Sequence, residues 1–356
     1  MSVSKDNKTG KWMAQIRIEN WKGEVIHKKK RGFKTKKEGL EWEEATKKAH
    51  SASMGMYFQN FIVLYFEDMK HRLKESTLEN KHWLIDKKIT PFFGKMPLDQ
   101  INANDIRRWQ NKMTAFRDEK DKPYSQTYLK TVNNQLTAVF NYAVKYYDLK
   151  ENPCHKAGSM GKKDADEMLF WTKAEFDQFA EAVREKPTTY TAFMVLYYTG
   201  IRIGELAALT RADVDLEKAT ITVNKSFQKI KGKDVITDPK TPKSNRVVTI
   251  PKLLVECLRD YFDQRYELEE DQRIFEVTKG FMGNEMKRGC VKSGVKKIRV
   301  HDCRHSHASL LIEMGFSPLL IADRLGHEKV ETTLNTYSHL YPSKQIEVAE
   351  KLDELG

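Results

Sequence analysis

HDCRHSHA, residues 301–308, packs His301, Cys303, Arg304, His305 and His307 into two turns of chain. How it is read decides whether the C-terminal half is built around a metal or around charged side chains. Two pairs, His301/His305 and Cys303/His307, stand four residues apart, a spacing that puts two ligands on one helical face. Against a metal, the stretch lacks the glutamate of H-E-x-x-H, and neither a C-x-x-C pair nor a second ligand cluster accompanies it. Ligands on adjacent turns of one helix also diverge and cannot all close on a single ion. The expectation is no metal.

Other cofactor signatures are missing as well. GSMGKK (158–163) does not have the spacing of a phosphate-binding G-x-x-x-x-G-K-[ST] loop, and no G-x-G-x-x-G or G-x-S-x-G occurs. No cofactor is expected, so the chemistry must come from side chains.

Outward from that stretch, 356 residues suffice for two or three domains, and 40% hydrophobic with 10% aromatic residues describes a globular chain. Residues 1–11 are polar and unlike a signal peptide. The longest apolar run, YTAFMVLYYTGI (190–201), is about half of a membrane span. Cys154, Cys257, Cys290 and Cys303 follow no framework spacing and read as reduced thiols of a cytoplasmic protein. The net charge of +12 favours a polyanionic partner over a merely basic surface, because +7 of it falls in residues 1–50, with 14 Lys+Arg against 7 Asp+Glu.

In KWMAQIRIE, Trp12, Ala14, Ile16 and Ile18 alternate with Lys11, Met13, Gln15 and Arg17, the pattern of a half-buried strand. SVSK precedes it across DNKTG, and EVIHKKKRGF follows across NWKG. Thr35 and Glu38 then form a T-x-x-E capping box for a helix through Leu40, Trp42, Ala45 and Ala49. The result is a three-stranded sheet backed by a helix over 1–55. Its strand-borne Lys28, Lys29, Lys30 and Arg31 either form a solvated face or enter a DNA groove, with Gln15 and Arg17 beside them.

Residues 56–154 read as all-helical. The stripe Leu129, Val132, Leu136, Val139, Phe140 and Ala143 marks a core face, and Pro91 and Gly94 are expected to separate two helices. A Pro/Gly/charge-rich linker is expected over 155–167. Residues 168–356 are mixed but mainly helical: a capped helix at Thr172/Glu175, an apolar helix over 190–198, strands at ATITVNKSF and SNRVVTIP, then helices to the end. The fold class is multidomain α+β.

Three further segments stand beside His301 and Arg304. In TGIRIGELAAL, Arg202 follows a Thr-Gly turn; in RLGHEKVETTLNTYSHL, His327 follows Leu-Gly and Tyr337 comes ten residues later; DPKTPKSNRVVTIP offers Lys240 and Lys243. Singly, each has an ordinary explanation: an arginine paired with an acid, a histidine at a helix end, a packed tyrosine. Together and in this order they resemble the tyrosine recombinase family, the integrases of phages and transposons. That family carries an arginine in a G-x-R-x-x-E turn, a hairpin lysine, an H-x-x-R box, an L-G-H box and a nucleophilic tyrosine.

The resemblance implies an arm-site domain, a core-site domain and a catalytic domain. It also implies the catalytic set Arg202, Lys240, His301, Arg304, His327 and Tyr337. The arginines would bind the phosphate, His327 would add a donor, His301 would act as base or positioner, and the lysine would protonate the departing oxygen. Lys240 fits the family's hairpin position, and Lys243 is the alternative or a phosphate contact. Glu205 would orient Arg202 or cap its helix. Cys303 stands where the family more usually has an apolar residue and is expected to be inert, while His305 and His307 would serve the helix or the DNA backbone. Implied partners are double-stranded DNA at core and arm sites, a homotetramer on that DNA, a small excision factor and a host DNA-bending protein, with no membrane. The stretch QIEVAEKLDEL (345–355) would dock into a neighbouring subunit or pack on its own. Two other readings remain, a type IB topoisomerase-like enzyme and a non-enzymatic DNA-binding regulator.

Overall fold

The computed structural model describes residues 3–6, 9–19, 25–52, 56–162, 168–239, 241–265 and 268–340. Lys240 and the stretch 345–355 lie outside the described residues. The chain divides into two compact units, with the division between Asp166 and Glu167.

In the first unit, β1 (Val3–Lys5), β2 (Trp12–Glu19) and β3 (Val25–Phe33) form an antiparallel sheet in the order β1-β2-β3. Ala14 and Ile16 are buried, as alternation requires, under α1 (Lys36–Ala52). Thr35 Oγ1 accepts the Glu38 N–H, while the Glu38 carboxylate accepts the N–H of Lys34, one residue earlier than a regular capping box. The helix turns Gly39 and Glu43 inward and leaves Leu40 exposed. At Gly39 a Cβ would lie 2.8 Å from Val3, so the absent side chain sets the approach of helix to sheet. The basic run does not share one face. Gln15 pairs with Lys29 and Met13 with Arg31, whereas Lys28 and Lys30 lie opposite Ile16 and Ala14 on the helix side. Lys30 Nζ passes 5.7 Å from the Phe33 ring, its stem covering apolar surface while its charge reaches water.

The helical part comprises α2 (Phe58–Met69), α3 (Glu75–Leu84), α4 (Thr90–Phe93), α5 (Ala103–Ala115), α6 (Gln126–Tyr146) and α7 (Pro153–Ala157). All six residues of the predicted α6 stripe are buried. Pro91 does not separate two helices. A π-helical turn, Ile85–Ile89, joins α3 to α4 so that the chain runs helically through the proline, and Gly94 ends it. The wide turn accommodates the residue that cannot donate, and the Trp109 indole donates to the Lys88 carbonyl within it at 2.9 Å. The expected linker also starts too early. Ala157 and Met160 are buried in the helical core, and a Cβ on Gly161 would strike the Gln126 carbonyl. Short apolar residues between breakers hid this packing.

The second unit begins with α8 (Lys173–Val183), α9 (Pro187–Thr199) and α10 (Ile203–Leu206). Thr172 and Glu175 form the expected capping box. β4 (Val214–Asp215), β5 (Thr220–Val223), β6 (Ser226–Ile230), β7 (Lys233–Thr237) and β8 (Arg246–Thr249) follow. ATITVNKSF is not one strand: β5 pairs with β4 and β8, and β6 turns into a hairpin with β7. Then come α11 (Lys252–Asp263), α12 (Lys279–Ser293), α13 (Asp302–Glu313), α14 (Pro318–Leu325) and α15 (Val330–Tyr337). The core centres on α9, buried nearly all round, which explains its lack of an amphipathic pattern. Among the described residues no helix is long and apolar enough to cross a membrane.

Candidate active site

The ends of α9, α14 and α15 and the starts of α10 and α13 build the site. α9 ends at Gly200 in the left-handed conformation (φ +66°), where a Cβ would lie 2.7 Å from both His307 and Leu325. Only glycine lets this turn sit so close to α13 and α14. α14 ends the same way at Gly326 (φ +67°), held against the Lys243 carbonyl and the Arg246 side chain. His301 is the residue that caps the start of α13, and Asp302 after it is buried with the Arg299 guanidinium against its carboxylate.

Arg304, on the first turn of α13, is 3% exposed and bridges the two glycine turns. Nη1 donates to the Gly200 carbonyl at 2.8 Å and Nη2 to the Leu325 carbonyl at 2.6 Å. Burial, and next the charge of Arg202, lower its pKa to about 9, which still leaves it cationic at neutral pH. Arg202 is more open and pairs with Glu205 at 2.7 Å. Glu205 behaves as the spacing predicts and does more. It also accepts the Arg202 N–H at 2.9 Å and the Arg246 Nη2 at 2.9 Å. Burial raises its pKa, but Arg246 and Arg202 outweigh that and hold it below the usual carboxylate value. Arg246, which the sequence reading passed over, ties β8 to α14 through the Arg324 carbonyl at 2.9 Å.

His327, just after Gly326, shares a hydrogen bond of 2.8 Å between Nδ1 and Thr333 Oγ1. Burial and then Arg304, Arg202 and Arg246 push its pKa down to about 4, so it is neutral at pH 7. Tyr337 closes α15 at 1% exposure, its ring among Ala308, Leu311, Ile312, Ile321 and Leu325. Burial raises its hydroxyl to about 12, with the Arg304 charge acting in the opposite direction.

The three histidines of the opening stretch have three separate surroundings. His301 reaches solvent and is held below its usual pKa by desolvation and Arg304. His305 Nδ1 lies 2.7 Å from the Tyr337 hydroxyl, and its ring stands edge-on to that of His301 at 5.4 Å. His307 is buried, and its Nε2 accepts from Arg324 Nε at 3.0 Å. His305 therefore lies at the site, unlike the expectation that it serves the helix or the DNA backbone, and His307 takes the helix alternative, in the packing beneath. His307 cannot reach a DNA backbone, because 97% of its surface is covered. Cys303 is fully buried, and burial raises its thiol pKa, as an inert packing residue requires.

Arg202, His301, Arg304, His327 and Tyr337 thus converge in one electrostatic field. Lys243 is exposed on the turn Pro242–Ser244, whose backbone touches Gly326. Gln15, Arg17, Lys28, Lys29, Lys30 and Arg31 are all exposed on the N-terminal sheet. His305, Arg246 and Thr333 are what the sequence reading missed. Only the adjacency of His305 to Arg304 could have signalled the first.

Three family models match in succession: an arm DNA-binding domain over residues 2–49, a phage integrase N-terminal SAM-like domain over 57–114, and the phage integrase family over 170–344. The chain is 34% identical over 349 residues to the ICEBs1 integrase of Bacillus subtilis (strain 168), covering 90% of each protein. Its fold is similar to that of the Tn1549 transposon integrase solved with transposon right end DNA, with a TM-score of 0.66 at 21% identity over 82% of this chain and 97% of that one. It is also similar to a lambda integrase tetramer bound to a Holliday junction, with a TM-score of 0.60 at 15% identity over 97% of this chain and 95% of that one.

Proposed function

The chain belongs to the phage integrase family and is a tyrosine-type site-specific recombinase, and from that premise we propose how its own residues break and rejoin DNA. Tyr337 is the nucleophile. Its Oη forms a bond to the scissile phosphorus while the bond to the 5′-oxygen breaks, leaving a 3′-phosphotyrosine. His301 takes the phenolic proton, and Lys240 protonates the departing 5′-oxygen, with Lys243 the alternative donor.

Displacement at a phosphodiester builds negative charge on phosphorus, which guanidinium groups stabilise with paired donors. Arg202 and Arg304 supply that charge and His327 a further donor. Because the covalent link conserves the energy of the phosphodiester, religation needs no nucleotide. The observation that carries this reading is the placement of Tyr337 within the field of Arg304, with His305 at its hydroxyl.

Residues 1–55 hold arm sites, residues 56–154 and 168–356 clamp the core site, and four copies act together on double-stranded DNA in the bacterial cytoplasm. The DNA complex of the Tn1549 integrase and the tetramer of lambda integrase support this. Excision of the element would recruit a small excision factor, and a host DNA-bending protein would bring arm and core sites together. The relatives are integrases and recombinases, so neither the topoisomerase nor the regulator reading gains support from them.

The test is Tyr337→Phe on a nicked core-site suicide substrate. The variant binds the DNA and forms no covalent adduct. A gel-stable adduct from this variant would place the nucleophile elsewhere.

A further inference from the structure

His305 follows Arg304 on α13 and is assigned no proton or phosphate contact in the chemistry described above, yet its Nδ1 is 2.7 Å from the Tyr337 hydroxyl. Its ring packs edge-on against the phenol, with centroids 5.6 Å apart at 60°. We propose that His305 is a positioning residue for the nucleophile, one that accepts the phenolic hydrogen bond at Nδ1 and fixes where Oη points.

This rests on the reading of Tyr337 as nucleophile. A tyrosine at the end of a short helix has its ring fixed by packing and its Cα fixed by the helix. The remaining freedom is the direction of the O–H and small rocking of the ring. Ala308, Leu311, Ile312, Ile321 and Leu325 offer the ring only apolar walls, so they set its plane but not the direction of its hydroxyl. That direction is set by the hydrogen bond between Oη and His305 Nδ1.

α13 carries both Arg304 and His305, so the element that places the phosphate-binding guanidinium also places the phenol. Attacker and electrophile therefore share one rigid ruler. In-line displacement needs Oη within a few tenths of an ångström of its attack position, which makes such a ruler useful.

The contact positions the phenol and does not remove its proton. His305, held down to about 4 chiefly by burial, meets the phenol as a neutral acceptor. His301, Asp302, Arg299 and Arg304 all act on the His305 ring, and burial is the largest influence keeping it neutral. A neutral ring whose Nδ1 accepts from Tyr337 must carry its proton on Nε2.

Asparagine places its amide oxygen close to where histidine places Nδ1, so it separates positioning from every other role of the ring. In single-turnover adduct formation on the suicide substrate, His305→Ala should slow the step by about 100-fold, the cost of a nucleophile misplaced by about 1 Å. Core-DNA affinity should stay at the wild-type value. His305→Asn should recover most of the rate. Wild-type speed in His305→Ala would overturn the proposal, and so would equal slowing in the two variants, which would assign the ring a proton-transfer or packing role. Tyr337→Phe run alongside separates the premises. If it still forms adduct, the nucleophile reading fails; if it does not while His305→Ala is unimpaired, only the positioning role fails.

Discussion

Glu205 shows why the site is expensive to build and hard to alter. It is 4% exposed and faces two arginines, so it acts as the fixed counter-charge that lets Arg202 and Arg246 stand close together beside Arg304. Breaking such a buried pair typically costs about 3–5 kcal/mol, because a charge is left uncompensated. The histidines behave in the opposite way: the same cations and the same burial keep them neutral. His307 has the clearest consequence, being buried and held down to about 3, first by burial and then by the Arg324 charge. In the unfolded chain an imidazole titrates near about 6.5. Below that pH the unfolded state takes up a proton that the folded state refuses, so stability falls as pH drops from about 6.5 toward about 3 and is level above that window. The slope from one such group is about 1.4 kcal/mol per pH unit. Urea midpoints should therefore change little from about pH 8 to 7 and drop clearly between about pH 6 and 5. His307→Gln should show a shallower drop over that acid interval. The same slope in both proteins would remove His307 as its source.

At the scale of elements, the two glycine turns are the hinges on which the site is mounted. Gly200→Ala would bring a Cβ to 2.7 Å from His307 and Leu325, and would put an L-residue at φ +66°. Left-handed backbone costs about 1–2 kcal/mol, and overpacking adds about 1–3 kcal/mol. The variant should melt lower and lose cleavage out of proportion to its lost stability, because the Gly200 carbonyl is one of the two acceptors that hold Arg304. Cleavage assayed well below the melting point checks this; wild-type cleavage there would mean the turn is structural only.

These elements also show what a sequence can and cannot reveal. The α6 stripe and the Thr172 cap were legible because each is a local pattern whose physics repeats every turn. Arg202, His301, Arg304, His327 and Tyr337 could be picked out only through the ordered boxes that resemble the tyrosine recombinase family, since each alone has an ordinary explanation. The helix running through Pro91 was not, because its π turn answers to packing with Trp109, 21 residues away. The hydrogen bond between Tyr337 and His305 spans 32 residues, and the link from Arg246 to the Arg324 carbonyl spans 78. Neither has a periodicity to read. Lys28 and Lys30 stand on the opposite face from Lys29 and Arg31, since alternation sends neighbours in a charged run to opposite faces.

For the whole molecule, the distribution of charge and of core residues separates two tasks. The N-terminal 50 residues carry +7 of the net +12, while among the described residues the buried ones of the helical core come from Met56 onward. Removing residues 1–55 therefore takes away charge without taking a side chain from that core. On the exposed sheet face, Gln15, Arg17, Lys29 and Arg31 stand together, with Gln15 directly opposite Lys29. Lysines and arginines there can neutralise phosphates, each contributing about 0.9 to the log–log salt slope. Gln15 and Arg17 can also read base edges, which phosphate contacts cannot do. If this sheet holds DNA at a distance from the crossover, its loss should barely affect cleavage of an isolated core site. Recombination between two plasmids should fall much further, because it needs both sites held at once and effective concentration vanishes when one grip is removed. Affinity for arm-containing DNA should also lose part of its salt dependence. The deciding comparison is suicide-substrate cleavage and two-plasmid recombination on the same truncated protein. Equal losses in the two assays would make the sheet a structural support for the helical part, and the charge it carries would then need another explanation.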